Sequence, residues 1–202
     1  MLAVIQDASG AGRVVLVEAA TGTVRWDVAS YPNQASSTFI GVAMSPDGRF
    51  VASVSASEVN WKLWDTASGA AWMTGAKHDG TGACVCGVAR RMGGVVDAGC
   101  PLQAHSCGLW VVAFSPCGHF FATGGEDMAV NLWNAQTGNV EHVMQGHTRP
   151  VGGKQGEGVF NALAFSAGGG KVAGASWDGS ILLWDAKTGT LLRTIDAHPN
   201  LV

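Results

Sequence analysis

Residue types able to form a hydrolase triad lie within one short stretch: His105, the hydroxyl of Thr123 and Asp127. In that chemistry a histidine takes the proton of a hydroxyl nucleophile while a carboxylate orients the imidazole. It also demands an exposed nucleophile beside an oxyanion hole, and the chain has no Gly-x-Ser-x-Gly turn to supply one. No His-Glu-x-x-His metalloprotease pattern occurs either. Phosphate-loop starts fail, because Gly170-Lys171 is followed by Val172 and Gly153-Lys154 by Gln155. Carboxylates are scattered over turns and form no acid and base pair.

Two further constellations could bind a ligand. Cys84, Cys86, Cys100 and Cys107, with His78 and His105, contain enough soft donors for zinc. Structural zinc sites pair cysteines two to four residues apart, whereas Cys84 and Cys86 have one residue between them, so no metal is expected, and the reading for this stretch is a flexible insertion or sequence that does not belong to the mature protein. Gly10-Ala-Gly12 begins like a dinucleotide loop but lacks a third glycine and a following helix. No cofactor is expected.

The elements that must position these residues are read most completely from His105 to His147. Turn residues fall at Pro116 to Gly118, Gly124 to Asp127 and Thr137 to Gly138, and the stretches between them are short, apolar and roughly alternating. That pattern predicts four antiparallel strands. The landmarks recur: Ser115 to Trp133 spans 18 positions, Ser166 to Trp184 spans 18, and Ser45 to Trp64 spans 19. Val15-Leu16-Val17-Glu18 with Thr21-Gly22 reads as the back half of an earlier unit, whose strands are expected at Leu2 to Gln6, Arg13 to Val17 and Thr23 to Asp27.

A unit that opens on Gly146-His147, passes Ser45-Pro46-Asp47-Gly48 or Ser115-Pro116-Cys117-Gly118, and closes on Leu63-Trp64-Asp65 or Leu183-Trp184-Asp185 resembles the WD-repeat (beta-transducin-repeat) family. The resemblance implies an all-β fold of WD-repeat β-propeller blades. Four units are counted, at about 1–34 (incomplete), 35–78, 105–146 and 147–196, with an inter-blade insertion at 79–104, and the expected architecture is a partial or open propeller. The resemblance also implies a structural hydrogen-bond network in which Asp127, His105, Thr123 and Trp133 are linked, every donor finding an acceptor. The last unit keeps His147, Asp178 and Trp184 but has Gly174 at the hydroxyl position, so Asp178→Ala is expected to cost less than Asp127→Ala. The second unit keeps Ser53 and Trp64, with Ala35 where the histidine would stand.

Composition limits the function. The charged fraction is 13% against a usual level of about 25%. The net charge is -3 with 12 Lys plus Arg and no basic run longer than Arg90-Arg91, which disfavours nucleic acid. The N-terminus has no basic start and no span approaches 18 apolar residues, so no membrane association is expected. Five irregularly placed cysteines suit a reducing compartment, cytoplasmic or nuclear. The expected role is a non-catalytic scaffold for protein or peptide partners, with self-association through open strand edges as an accompanying property. The alternatives are a hydrolase-like enzyme built on a propeller and a purely structural segment of a larger scaffold. Trp110, Glu126 and Trp177, with the glycine-rich loop at 152–158, form the candidate partner-binding face, because an indole at an exposed loop position gains little from folding. The competing reading is that Trp110 and Trp177 cover glycine-rich neighbours.

Overall fold

The computed structural model describes residues 1–7, 12–29, 39–55, 60–75, 105, 108–148, 151 and 163–197. Among them every regular element is a β-strand. The first sheet holds β1 (Leu2–Asp7), β2 (Gly12–Val17) and β3 (Val24–Ala29). The second runs β4 (Phe39–Met44), β5 (Phe50–Ser55), β6 (Asn60–Asp65) and β7 (Ala71–Gly75) in that order. The third holds β8 (Leu109–Phe114), β9 (Phe120–Gly125), β10 (Val130–Asn134) and β11 (Val140–Met144). The fourth holds β12 (Leu163–Phe165), β13 (Lys171–Ala175), β14 (Ser180–Asp185) and β15 (Leu191–Asp196). All pairings are antiparallel between consecutive strands, as short turns require.

The turns explain the repeat. Gly48, Gly118 and Gly169 have φ near +70° in the turns that follow β4, β8 and β12. Ser45 stabilises the first of these by donating to Asp47 Oδ1 at 2.6 Å and accepting from the Phe50 amide at 2.9 Å. In the next turn Cys117 replaces the aspartate. The Ser115 hydroxyl, 3.3 Å from its sulfur, together with the His119 amide holds that thiol below its ordinary pKa.

One register shift recurs in all four sheets, between Leu16 and Val17, Leu63 and Trp64, Leu132 and Trp133, and Leu183 and Trp184. Because β2 carries it, β2 matches β6, β10 and β14, and the first sheet contains the last three strands of a unit. Such β-bulges bend the strand and raise its local twist.

The first strands of the full sheets face one another along the inside of an arc, where β4 contacts β8 and β8 contacts β12, while β1 of the incomplete sheet contacts β4. No comparable contact joins β12 to β1 among the described residues, so the sheets form an open partial propeller. Between sheets lie three apolar clusters. Val14 and Leu16 meet Val51 and Trp64; Trp61, Leu63 and Met73 meet Phe121 and Trp133; Val130, Leu132 and Met144 meet Val172 and Trp184. Trp61 packs edge-on against Phe121 at 4.9 Å and Trp133 at 5.1 Å between ring centroids. Each such pair adds roughly 0.5–1.5 kcal/mol to area burial. On β15, Ile195 is 41% exposed where Met144 of β11 is fully buried, because among the described residues no further sheet covers it.

The tightest backbone approach fixes the start of β8. A Cβ at Gly125 would lie 2.5 Å from the Gly108 carbonyl oxygen, and the Gly108 carbonyl accepts from the Glu126 amide at 2.9 Å, so neither chain can retreat without losing that bond. Gly125→Ala should therefore destabilise by about 1–3 kcal/mol. Gly168→Ala, with open space around its Cβ, should stay within about 0.5 kcal/mol. Urea melts of the two variants against wild type check the contrast.

Candidate functional site

In the third sheet, β9, β10 and the residues before β8 bring four polar side chains into one chain of hydrogen bonds. The Trp133 indole N–H donates to Thr123 Oγ1 at 2.7 Å, Thr123 Oγ1 lies 2.8 Å from His105 Nε2, and His105 Nδ1 lies 2.8 Å from both Asp127 carboxylate oxygens. With the proton on Nδ1, the imidazole donates to Asp127 and accepts from Thr123, which in turn accepts from the indole. Pairing is essential here, because His105, Thr123 and Trp133 are all buried. The threonine hydroxyl is held inside the sheet and is not presented as a nucleophile.

The fourth sheet solves the same problem differently. With Gly174 in place of the hydroxyl, His147 Nε2–H donates to the Gly174 carbonyl at 3.1 Å, and Trp184 donates to the Gln145 carbonyl at 3.2 Å. Trp184, expected in the same network as His147 and Asp178, instead only makes an edge-on ring contact with His147, at 5.5 Å. The missing side chain is the cause: the Trp184 ring lies close to where a Cβ on Gly174 would stand. In the second sheet Trp64 donates to Ser53 Oγ at 2.9 Å; Ala35 lies outside the described residues.

Asp178 is richly bonded. It accepts from the Thr148 amide at 2.9 Å, the Ser180 amide at 2.9 Å and the Ser180 hydroxyl at 2.5 Å, and it faces His147 Nδ1 at 3.1 Å. Partial burial opposes its ionisation, but the Ser180 hydroxyl, the two amides and His147 together hold the carboxyl well below the usual carboxylate range.

Glu126 and Trp177 begin the β9–β10 and β13–β14 turns, and Val151 ties these turns together. Its amide donates to the Gly125 carbonyl at 3.0 Å while it forms an isolated bridge with Ser176. Further along the chain Leu163 pairs with Gly174. Leu109 pairs with Gly125 and Val111 with Gly124, so Trp110 is the extra residue of a bulge in β8. The loop at 152–158 lies outside the described residues.

Trp110 does not belong to an exposed face. It is 6% exposed, because the bulge breaks the simple alternation and turns the indole into the protein. Its Nε1 has no hydrogen-bond partner among the described residues. Glu126 and Trp177 are partly exposed. Sequence reasoning passed over Met128, which lies in the same turn as Glu126 and is 41% exposed; Gly179 at the matching position was the available signal. Of the proposed zinc donors, His78, Cys84, Cys86, Cys100 and Cys107 lie outside the described residues, and His105 is engaged by Asp127 and Thr123. No group of metal-binding side chains occurs among the described residues.

Removing either turn carboxylate leaves buried donors unpaired, so Asp127→Ala and Asp178→Ala should each cost about 1–3 kcal/mol. Because Asp178 serves two amides, a hydroxyl and an imidazole, its loss should match that of Asp127 rather than fall below it as expected from sequence. A larger loss at Asp127 in thermal melts would contradict this. The depressed Asp178 pKa also has a signed consequence. Its stabilisation is complete above the unfolded carboxylate pKa of about 4 and is lost as pH falls through the lower folded value. The melting-temperature advantage of wild type over Asp178→Asn should hold above about pH 5 and shrink below about pH 4.

Comparison with known proteins gives a consistent placement. The family model described as "WD domain, G-beta repeat" matches residues 99–134 and 138–185. The WD repeat, SAM and U-box domain-containing protein 1 of Danio rerio is 32% identical over 94 residues, covering 46% of this chain and 18% of that protein. The COMPASS component SWD3 of Saccharomyces cerevisiae is 33% identical over 101 residues, covering 50% and 29%. The nuclear distribution protein nudF of Aspergillus niger is 30% identical over 106 residues, covering 50% and 21%. The chain therefore spans less than a third of these relatives' length. Among solved structures, that of U3-55K superposes with a TM-score of 0.60 at 20% identity, covering 79% of this chain and 39% of that one, which shows a shared fold. Four sheets with a bulge at one recurring place, together with the match of the repeat model to residues 99–134 and 138–185, support placing this chain among WD-repeat proteins.

Proposed function

We propose that the chain is a non-catalytic scaffold that presents one propeller face to protein or peptide partners, with the half-buried Glu126 and Trp177 on that face. The observation that carries this reading is the pairing of turns through Val151, which fixes the Glu126 and Trp177 turns side by side at one end of adjacent sheets. A rigid platform lowers the ordering cost of binding. The internal bonding of His105, Thr123 and Asp127 supports a structural role for the triad residue types.

Membership of a family with relatives such as a COMPASS component supports protein partners in general. The sparse cations argue against nucleic acid, and among the described residues no helix is long and apolar enough to cross a membrane. A reducing compartment, cytoplasm or nucleus, fits the cysteine usage. Self-association through open strand edges accompanies this reading, supported by the exposed β15.

The test is affinity capture on the immobilised chain with identification by mass spectrometry, comparing wild type with Trp177→Ser. The variant should keep its melting temperature and lose about tenfold or more in capture of the wild-type partner, as expected for a tryptophan anchor. Undiminished capture would remove this face from the proposal.

A further inference from the structure

Met128 holds a backbone conformation that its side chain disfavours. Its φ is 62°, the one positive value at a non-glycine residue among those described, and the matching residue of the next sheet is Gly179 at 80°. Both follow the turn aspartate, and both amides reach back to the end of the preceding strand: Met128 to the Gly125 carbonyl at 3.3 Å, Gly179 to the Ser176 carbonyl at 3.1 Å. The turn therefore requires the left-handed region, where a Cβ crowds the following carbonyl and glycine does not. Burial offers no compensation, since the methionine is 41% exposed. A strained backbone under an exposed apolar side chain points to a contact made outside the chain.

The surroundings define the chemistry of that contact. An unbranched thioether adapts to apolar side chains of varied shape. Glu126, two residues earlier in the same turn, adds a partly exposed carboxylate. Asp127 and Asp178 in the two turns are largely buried against their histidines, so Glu126 is the carboxylate that this end presents beside Met128. The complement of an apolar side chain next to a carboxylate is an apolar side chain flanked by a cation.

We propose that Met128 and Glu126 form a paired contact for a peptide segment in which an aliphatic side chain stands next to lysine or arginine. This rests on the reading of this end of the sheets as a partner face. It adds the class of segment recognised and a residue for which binding and stability pull in opposite directions.

The probes are three short fluorescein-labelled peptides alternating Arg with Leu, Arg with Gly, and Glu with Leu, titrated by fluorescence anisotropy. The Arg-Leu peptide should bind and the other two should bind at least about tenfold more weakly. Met128→Gly should raise the melting temperature by roughly 2–4 °C, as relief of the strain implies, while weakening the Arg-Leu peptide about tenfold. Glu126→Gln should weaken it and flatten its salt dependence with the melting temperature unchanged. Failure of the Arg-Leu peptide to bind, equal binding of the Arg-Gly peptide, or unchanged binding by Met128→Gly would overturn the proposal. If a captured protein depends on Trp177 but not on Met128, the partner face stands and this inference alone falls.

Discussion

Trp61 projects from β6 between Phe121 and Trp133 of the following sheet, and the rest of the arc depends on contacts of that kind. A blade has two apolar faces and cannot bury both by itself, so each sheet is stable only between neighbours. The alternation of β6 shows the division. Trp61 and Leu63 point to the sheet after it, while Trp64 points back to Val14 and Leu16 of the sheet before it. Where the sequence of sheets stops, the same positions are exposed, as at Ile195 on β15.

Stacking alone would leave the sheets free to slide, and the polar chain inside the third sheet limits that freedom. Trp133 is at once a wall of the inter-sheet core and the donor to Thr123, so the hydrogen bonds that end on Asp127 hold the ring that Trp61 packs against. In the fourth sheet the loss of one hydroxyl at Gly174 is absorbed by two backbone carbonyls, those of Gly174 and Gln145. Buried donors found partners in both cases, by different routes, because an unpaired one costs more than a rearrangement.

The end of the sheets that carries Glu126, Met128 and Trp177 is held by the same economy of backbone bonds. Val151 closes the gap between two turns with one amide and one bridge. Turns held in this way suit a surface that must present its side chains at fixed positions.

Local pattern determined the repeat. Alternation along Val130–Asn134, a glycine in each left-handed turn and the distance from Ser115 to Trp133 are properties of neighbouring residues, so four units with an incomplete first one could be read from the chain. His105, Thr123, Asp127 and Trp133 could be lined up by the same spacing, while the distances between them belong to the folded sheet. Trp110 was beyond such reading, because one extra residue in β8 reverses which side of the strand faces solvent, and nothing in its neighbours announces the bulge. Trp184 turned to a carbonyl because of space left by Gly174 on another strand, and Val151 joined two turns that are far apart in sequence. These outcomes were decided by tertiary structure alone, since register, vacancy and the meeting of distant segments exist only once the sheets have formed.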